Sequence, residues 1–281
     1  MTQEELKELR IAAAKVRLGI IEGVFSAKSG HPGGSLSAAD VLTYLYFKRM
    51  NVDPARPQWE DRDRFVLSKG HAAPGLYSTL ANRGYFPVEE MKTLRHMGSR
   101  LQGHPNMNLV PGVDMSTGSL GQGVSTAVGM AMGAKRLGKA LRVYALLGDG
   151  EIQEGQVWEA FMCANHYKLD NLTVMIDNNN LQIDGAVDKV MSPYPIDEKL
   201  KAFGFCVQVA DGHDFEALEK AFDAVEADTS RPGAIILKTV KGKGVSYMEN
   251  QAGWHGKAPN EEQYQTAMQE LTAALRELEG K

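Results

Sequence analysis

Cysteine is nearly absent. Only Cys163 and Cys206 occur in 281 residues, too few and too far apart for a disulfide framework or a tetrahedral zinc cluster. Both lie in apolar text and are expected to be buried and reduced. An excess of positive charge is also lacking: 31 Lys and Arg against 35 Asp and Glu give a formal net charge of −4. The basic residues are scattered, which removes the electrostatic footprint of a nucleic-acid binder. No apolar run is long enough for a membrane span; the longest, Val124 to Ala134, is broken by Gly129 and Gly133, which are read as allowing close helix packing. The opening MTQEELKELR carries a capping-box pattern, Thr2 with Glu5, rather than a basic segment followed by an apolar one, so a cytoplasmic protein is expected. No Pro-, Gly- or Ser-rich linker and no fixed-period repeat divides the chain, and one domain over residues 1–281 follows as the expectation.

What is present is a rhythm. Leu6, Leu9, Ala13, Val16, Ile20 and Val24 step by three or four along one face of a helix expected to stop at Gly30, ahead of Pro32. From there to about residue 118 helical pieces alternate with loops rich in Gly, Pro and His. The second half then repeats apolar, β-prone runs at 142–147, 172–176, 205–210 and 234–240, with a helix-like segment between each pair. That is the spacing of βαβ units, and runs this apolar predict strands buried on both faces of a doubly wound, mainly parallel α/β sheet flanked by helices. Asn260 is placed to cap a last helix along Tyr264, Met268, Leu271, Leu275 and Leu278, and Pro259 precedes it.

Ligands in such sheets bind beyond the carboxyl ends of the strands. At the first end stands Gly148-Asp149-Gly150, and with 27 residues between comes Asn178-Asn179, one βαβ unit later. Asp149 and Asn179 can therefore stand side by side. Two oxygen ligands of this kind suit Mg²⁺, which takes few protein ligands and completes its octahedron with phosphate oxygens and water; Ca²⁺ or Mn²⁺ would also serve. Glycine leaves backbone N–H groups open to a phosphate. Four of the seven histidines, His31, His71, His104 and His255, lie in loops flanked by Gly or Pro.

The pairing of GDG with NN at this spacing resembles the diphosphate-binding signature of thiamine diphosphate enzymes. The segments SGHPGG, SKGHAAPGLY, QGHPN, STGSLGQGVSTAVGMA, ADGHD and GWHGKAP, in that order along the chain, further resemble transketolase. The resemblance implies that Asp149, the side-chain carbonyl of Asn179 and the main-chain carbonyl of Leu181 hold the metal, and that Gly150 offers its N–H to the diphosphate. It also implies that His71 and His255 contact the diphosphate, that His31, His104 and His255 meet the sugar during catalysis, and that Ser68 and Gly118 belong to the cofactor pocket. Glu154 would stand at a subunit contact near the catalytic centre. Asp177 and Asn178 are read as organising the turn that aims Asn179, Asn180 as tolerating left-handed backbone where many transketolases carry glycine, and His213 as organising another turn. Lys241 and Lys243 are weaker candidates for a phosphate contact, and His96 and His166 are read as ordinary histidines in helix-like text.

Transketolases carry the glutamate that activates the cofactor on a second domain, which this sequence does not match. The expectation is one subunit of a split transketolase, moving a two-carbon ketol unit from a ketose phosphate to an aldose. A partner chain would supply the pyrimidine-binding domain, two copies of each chain would assemble, and this chain alone would be inactive. A fragment of a longer protein, the diphosphate-binding subunit of a split 2-oxo acid dehydrogenase and a non-catalytic assembly module are the alternatives.

Overall fold

A computed structural model describes all of residues 1–281. Helix α1 (Gln3–Ala27) starts at the expected capping box, with Thr2 and Glu5 each bonding the other's backbone N–H. It ends short of Gly30, at Lys28, whose φ of +49° turns the chain, and Pro32 opens α2 (Pro32–Tyr44). Where only helical pieces were expected, a short strand intervenes, β1 (Arg64–Leu67). Four residues are too few for an alternation to register. Then follow α3 (Ala73–Arg83), α4 (Gly123–Arg136), β2 (Val143–Gly148), α5 (Gly155–His166) and β3 (Leu172–Asn178). A small hairpin, β4 (Leu181–Gln182) and β5 (Gly185–Ala186), leads through α6 (Val187–Val190) and α7 (Ile196–Ala202) to β6 (Cys206–Asp211). The chain finishes with α8 (Phe215–Glu226), β7 (Gly233–Lys238) and α9 (Glu261–Glu279), the last capped by Asn260 as expected.

Five strands form one wholly parallel sheet in the order β1-β2-β3-β7-β6. Its pleat divides the apolar residues between two cores. Tyr144, Leu146, Met175, Ile235 and Leu237 pack with α1, α2, α3 and α8, while Val143, Ala145, Leu147, Val174 and Ile236 pack with α4, α5 and α7. Helices on both faces make the doubly wound arrangement. Burial is complete for β3 and reaches all but the last residue of β2 and β7. It fails for β6, an edge strand whose Val209 is 53% exposed; the expectation of strands buried on both faces is corrected there, because an edge strand has one neighbour and incomplete cover. A third cluster joins α1 and α2 to residues 245–254 and α9.

Other expectations are also corrected. Gly129 and Gly133 pack against nothing: a methyl group added at either meets no atom within 4 Å. Cys163 and Cys206 are free thiols but only half-buried. His96 lies in a loop rather than a helix, and both it and His166 are exposed. No helix is long and apolar enough to cross a membrane.

Candidate active site

The register of the sheet places the two motifs together. Gly148 pairs with Asp177 across β2 and β3, so Asp149 and Asn179 leave adjacent strands at the same end. The Asp149 carboxylate is buried and already well bonded: Oδ1 accepts from the N–H of Gly150 at 2.9 Å, and Oδ2 from the N–H of Asn180 at 2.6 Å and from Nδ2 of Asn178 at 3.0 Å. Burial, with the Asp177 charge nearby, pushes Asp149 up to about 6. Asn179 donates Nδ2 to Ser37 and to Asp177, and its Oδ1 accepts from the N–H of Leu181. Asn180 makes this turn possible with φ +64°, a conformation asparagine tolerates better than most residues.

Beside them three imidazoles form a cluster. His31 stands in the joint between α1 and α2, His71 in the loop after β1, and His255 after a short turn at Ala252–Trp254. Their ring centres are 5.2 Å (His31–His71), 5.4 Å (His31–His255) and 5.0 Å (His71–His255) apart. Lys241 Nζ reaches the cluster at His255 Nδ1, 3.0 Å, and touches the Leu181 carbonyl at 3.0 Å. These residues line a cavity of about 330 Å³ together with Gly118, Gly150 and Glu154. A larger depression of about 460 Å³, around Arg62, Met130 and Leu141, holds none of the motif residues.

Two expected residues stand apart from the lining. Ser68 is fully buried and donates to Glu151, so it supports the wall from behind. His104 is not among the lining residues either: its carbonyl accepts from Tyr77, and its ring lies against Gly118, where an added Cβ would sit 3.1 Å from it. Asp177 lies in β3 rather than in the turn, and it helps aim Asn179 by accepting from its Nδ2. It is a wholly buried strand residue paired with Lys69 and hydrogen-bonded by Ser37 and Thr239. Asn178 aims Asp149 rather than Asn179. His213 does more than shape its own loop, because it reaches Asp40 on α2 and the N–H of Val240.

Lys69 and Glu151 escaped the reading of the sequence. Lys69 is 2% exposed and also donates to the Gly34 carbonyl. Glu151, equally buried, accepts from Ser68 Oγ and from the N–H groups of Gly121 and Gly148, tying three loops together. A charged residue in a loop carries no periodic mark of burial; only the adjacency of Lys69 to His71, and of Glu151 to the GDG turn, pointed toward them.

The donor set fits a metal–diphosphate group. Burial holds His31 down at about 4 and His255 at about 3, the charges of neighbouring cationic groups add to it, and His71 lies well below the ordinary histidine range for the same reasons. Lys241 is held down to about 8, by burial and then by Lys69. On one side of the cavity stand the three imidazoles and Lys241; on the other stands Asp149, a carboxylate bonded by amide groups and by no cationic side chain, with Glu151, Glu154 and Asp184 also in the lining. The buried Nδ1 of His31 has no hydrogen-bond partner. Anionic oxygens would satisfy the first group and a hard cation the second. No three His, Cys, Asp or Glu side chains are grouped to hold a metal, so such a cation would depend on Asp149 with the Asn179 and Leu181 carbonyls. The Leu181 oxygen keeps a second lone pair beyond its bond to Lys241.

Comparison with known proteins identifies the family and the fold. The family model described as transketolase, thiamine diphosphate binding domain, matches residues 9–275. An apulose-4-phosphate transketolase subunit from Phocaeicola vulgatus is 44% identical over 275 residues, covering 98% of each chain. A 6-deoxy-6-sulfo-D-fructose transketolase subunit from Clostridium sp. (strain MSTE9) is 41% identical over 271 residues, covering 96% of this chain and 98% of its own. The crystal structure of transketolase from Campylobacter jejuni superposes with a TM-score of 0.86 at 33% identity, over 99% of this chain but 46% of that one. The chain spans less than half the length of that full transketolase, and it belongs to the transketolase family as a thiamine diphosphate-binding domain.

Proposed function

We propose that this chain is the diphosphate-binding subunit of a split transketolase, which with a partner transfers a two-carbon ketol unit from a ketose phosphate to an aldose. One observation carries the reading: three histidines, Lys241 and the Asp149–Asn179–Leu181 oxygens converge on one cavity at the carboxyl ends of β2 and β3. The match of this chain to nearly the whole length of two proteins that are themselves named as transketolase subunits supports the two-chain arrangement.

Thiamine diphosphate, when bound, supplies an electron sink for breaking and making the carbon–carbon bond. Mg²⁺ or a similar divalent cation would be held by Asp149, Asn179 and the Leu181 carbonyl. Gly150, His71, His255 and Lys241 would face the diphosphate. His31, His104 and His255 would hydrogen-bond the sugar; neutral at pH 7, each imidazole offers one N–H and one acceptor nitrogen, which suits orienting hydroxyls and moving a proton. Gly118 would form the wall beneath His104, and Ser68 would act through Glu151. Glu154, exposed at the cavity's edge, would meet the partner chain, which brings the activating carboxylate; two copies of each chain would form the assembly. The two relatives are named for different sugars, one a phosphate and one a sulfo-sugar, so the donor is a ketose bearing an anionic group.

The test is a coupled assay of aldose release from xylulose 5-phosphate, with apulose 4-phosphate and 6-deoxy-6-sulfofructose as further donors. It is run with this chain alone, the candidate partner alone, and both. Activity only in the mixture is expected; turnover by this chain alone would refute the split site, and silence of the mixture toward all three sugars would refute the reaction.

A further inference from the structure

We infer that Asp40 is the hub of a clamp that sets the position of Lys241, with His213 and Arg17 as positioning residues acting through it. The inference rests on the reading of Lys241 as a diphosphate contact.

Asp40 lies on α2, 5% exposed, and carries two partners. Arg17 of α1 donates to it from both terminal nitrogens, Nη1 to Oδ1 at 3.0 Å and Nη2 to Oδ2 at 2.5 Å. His213, in the loop after β6, meets Oδ2 through Nδ1 at 2.6 Å. Each partner then uses its remaining group on the same short segment of main chain beyond β7. The N–H of Val240 donates to Nε2 of His213 at 2.9 Å, and Nε of Arg17 donates to the carbonyl of Lys243 at 3.2 Å. One carboxylate thus holds both ends of residues 240–243, and Lys241 lies between them.

The segment has little freedom elsewhere. The N–H of Gly242 donates to the carbonyl of Gly33, two residues from His31, and an added Cβ at Gly33 would stand 2.8 Å from the Trp254 carbonyl and 3.1 Å from Cγ of Lys241. Gly242 itself has φ +81° and abuts the backbone of Met248. The buried Lys241 side chain leaves this clamp to reach Leu181 and His255. A buried Arg–carboxylate–His cluster is a costly device for stability alone, and here every remaining hydrogen bond it makes from the Arg17 and His213 side chains falls on the segment that delivers a cavity lysine.

The geometry also dictates a proton position. Nε2 accepts from a main-chain N–H, so the proton of neutral His213 sits on Nδ1 and points at Asp40.

The experiment uses the full chain, with Mg²⁺ and inorganic diphosphate as the calorimetric probe, so that the partner's pyrimidine pocket is not needed. His213→Asn keeps a donor toward Asp40 but is too short to accept from Val240, and it is expected to weaken diphosphate binding by about twofold to tenfold, the size expected when one hydrogen bond between uncharged groups is lost. His213→Gln, whose amide oxygen extends to the position of Nε2 but whose side chain then offers Asp40 no donor at the place of Nδ1, restores the Val240 bond alone and is expected to bind between His213→Asn and wild type. In a Lys241→Ala background His213→Asn should cost nothing further, because the clamp acts through Lys241; a double-mutant cycle reads this coupling directly. Equal binding by wild type and His213→Asn, or the same loss in both backgrounds, would overturn the clamp. A ¹⁵N spectrum of the wild type showing the proton of His213 on Nε2 would overturn it without any variant. Failure of the wild type to bind Mg²⁺–diphosphate would instead remove the diphosphate reading, and the inference with it.

Discussion

Glycine substitutions of opposite sign test the packing of the site against the packing of its scaffold. Gly70 precedes His71, and a Cβ there would stand 2.7 Å from Thr117 Oγ1, 2.8 Å from the Gly118 nitrogen and 2.9 Å from the Thr117 carbonyl carbon. Two of those atoms are backbone and cannot rotate away. Gly70 is not in the left-handed region, so alanine is unstrained in itself and Gly70→Ala reads the steric conflict alone, worth about 1–3 kcal/mol. Gly129 offers the contrast: it lies exposed inside α4, where alanine touches nothing. Gly129→Ala should stabilise the isolated chain by about 0.5–1 kcal/mol, from helix propensity and reduced freedom of the unfolded chain. In a domain of this size each kcal/mol moves Tm by about 2 °C, so Gly129→Ala raises it by roughly 1–2 °C and Gly70→Ala lowers it by roughly 2–6 °C. Thermal and urea unfolding of the two variants, each with calorimetry of Mg²⁺–diphosphate, make the measurement. Gly70→Ala is also expected to weaken binding, because the displaced Thr117–Gly118 segment supports both the cavity wall and His104. A neutral Gly70→Ala, or a destabilising Gly129→Ala in the isolated chain, would refute this account of where the molecule is tightly packed.

Three further outcomes are expected. Asn179→Ala should lose cation-dependent diphosphate binding while Asn180→Gly retains it, since Asn180 offers Asp149 its N–H and a left-handed φ that glycine supplies, and its side chain bonds only Asn178 and Tyr194; equal loss in calorimetry would contradict the division. Lys69→Met strands the buried Asp177 carboxylate without a cation and should cost about 3–5 kcal/mol, read from urea unfolding. The third concerns acid. His31, His71 and His255 have folded values below the unfolded value of roughly 6.5, so the unfolded chain binds more protons and the stability they contribute, full above that value, falls as pH drops through it toward about 4 for His31 and about 3 for His255. Tm measured from pH 7.5 to 5 should fall less in His71→Gln than in wild type, and parallel curves would contradict the sign.

Most of the fold was legible because its signals are local. Apolar runs 30 residues apart specify parallel strands with crossover helices, and a capping box or an Asn before an apolar stripe specifies where a helix starts. The part of the site that follows from a single crossover was legible too: Asp149 and Asn179 terminate consecutive strands, and consecutive parallel strands usually pair.

Tertiary structure alone decided the rest. The order β3-β7-β6 brings the exit of β7, and with it Lys241, beside the asparagines, and nothing in the apolar pattern says which later strand docks against β3. Ser68 and His71 share one loop, yet the fold turns one behind the wall and the other into the cavity. Asp177 stands in the same DNNN run as Asn179, and its burial against Lys69 depends on a residue 108 positions away. The sequence by itself determined which chemical groups gather at the strand ends, because hydrophobic periodicity and turn residues act over a few positions. Which of those groups face the ligand and which are buried to hold the others, as Asp40 holds His213 across 173 positions, depends on long-range packing and desolvation, which exist only once the chain has closed on itself.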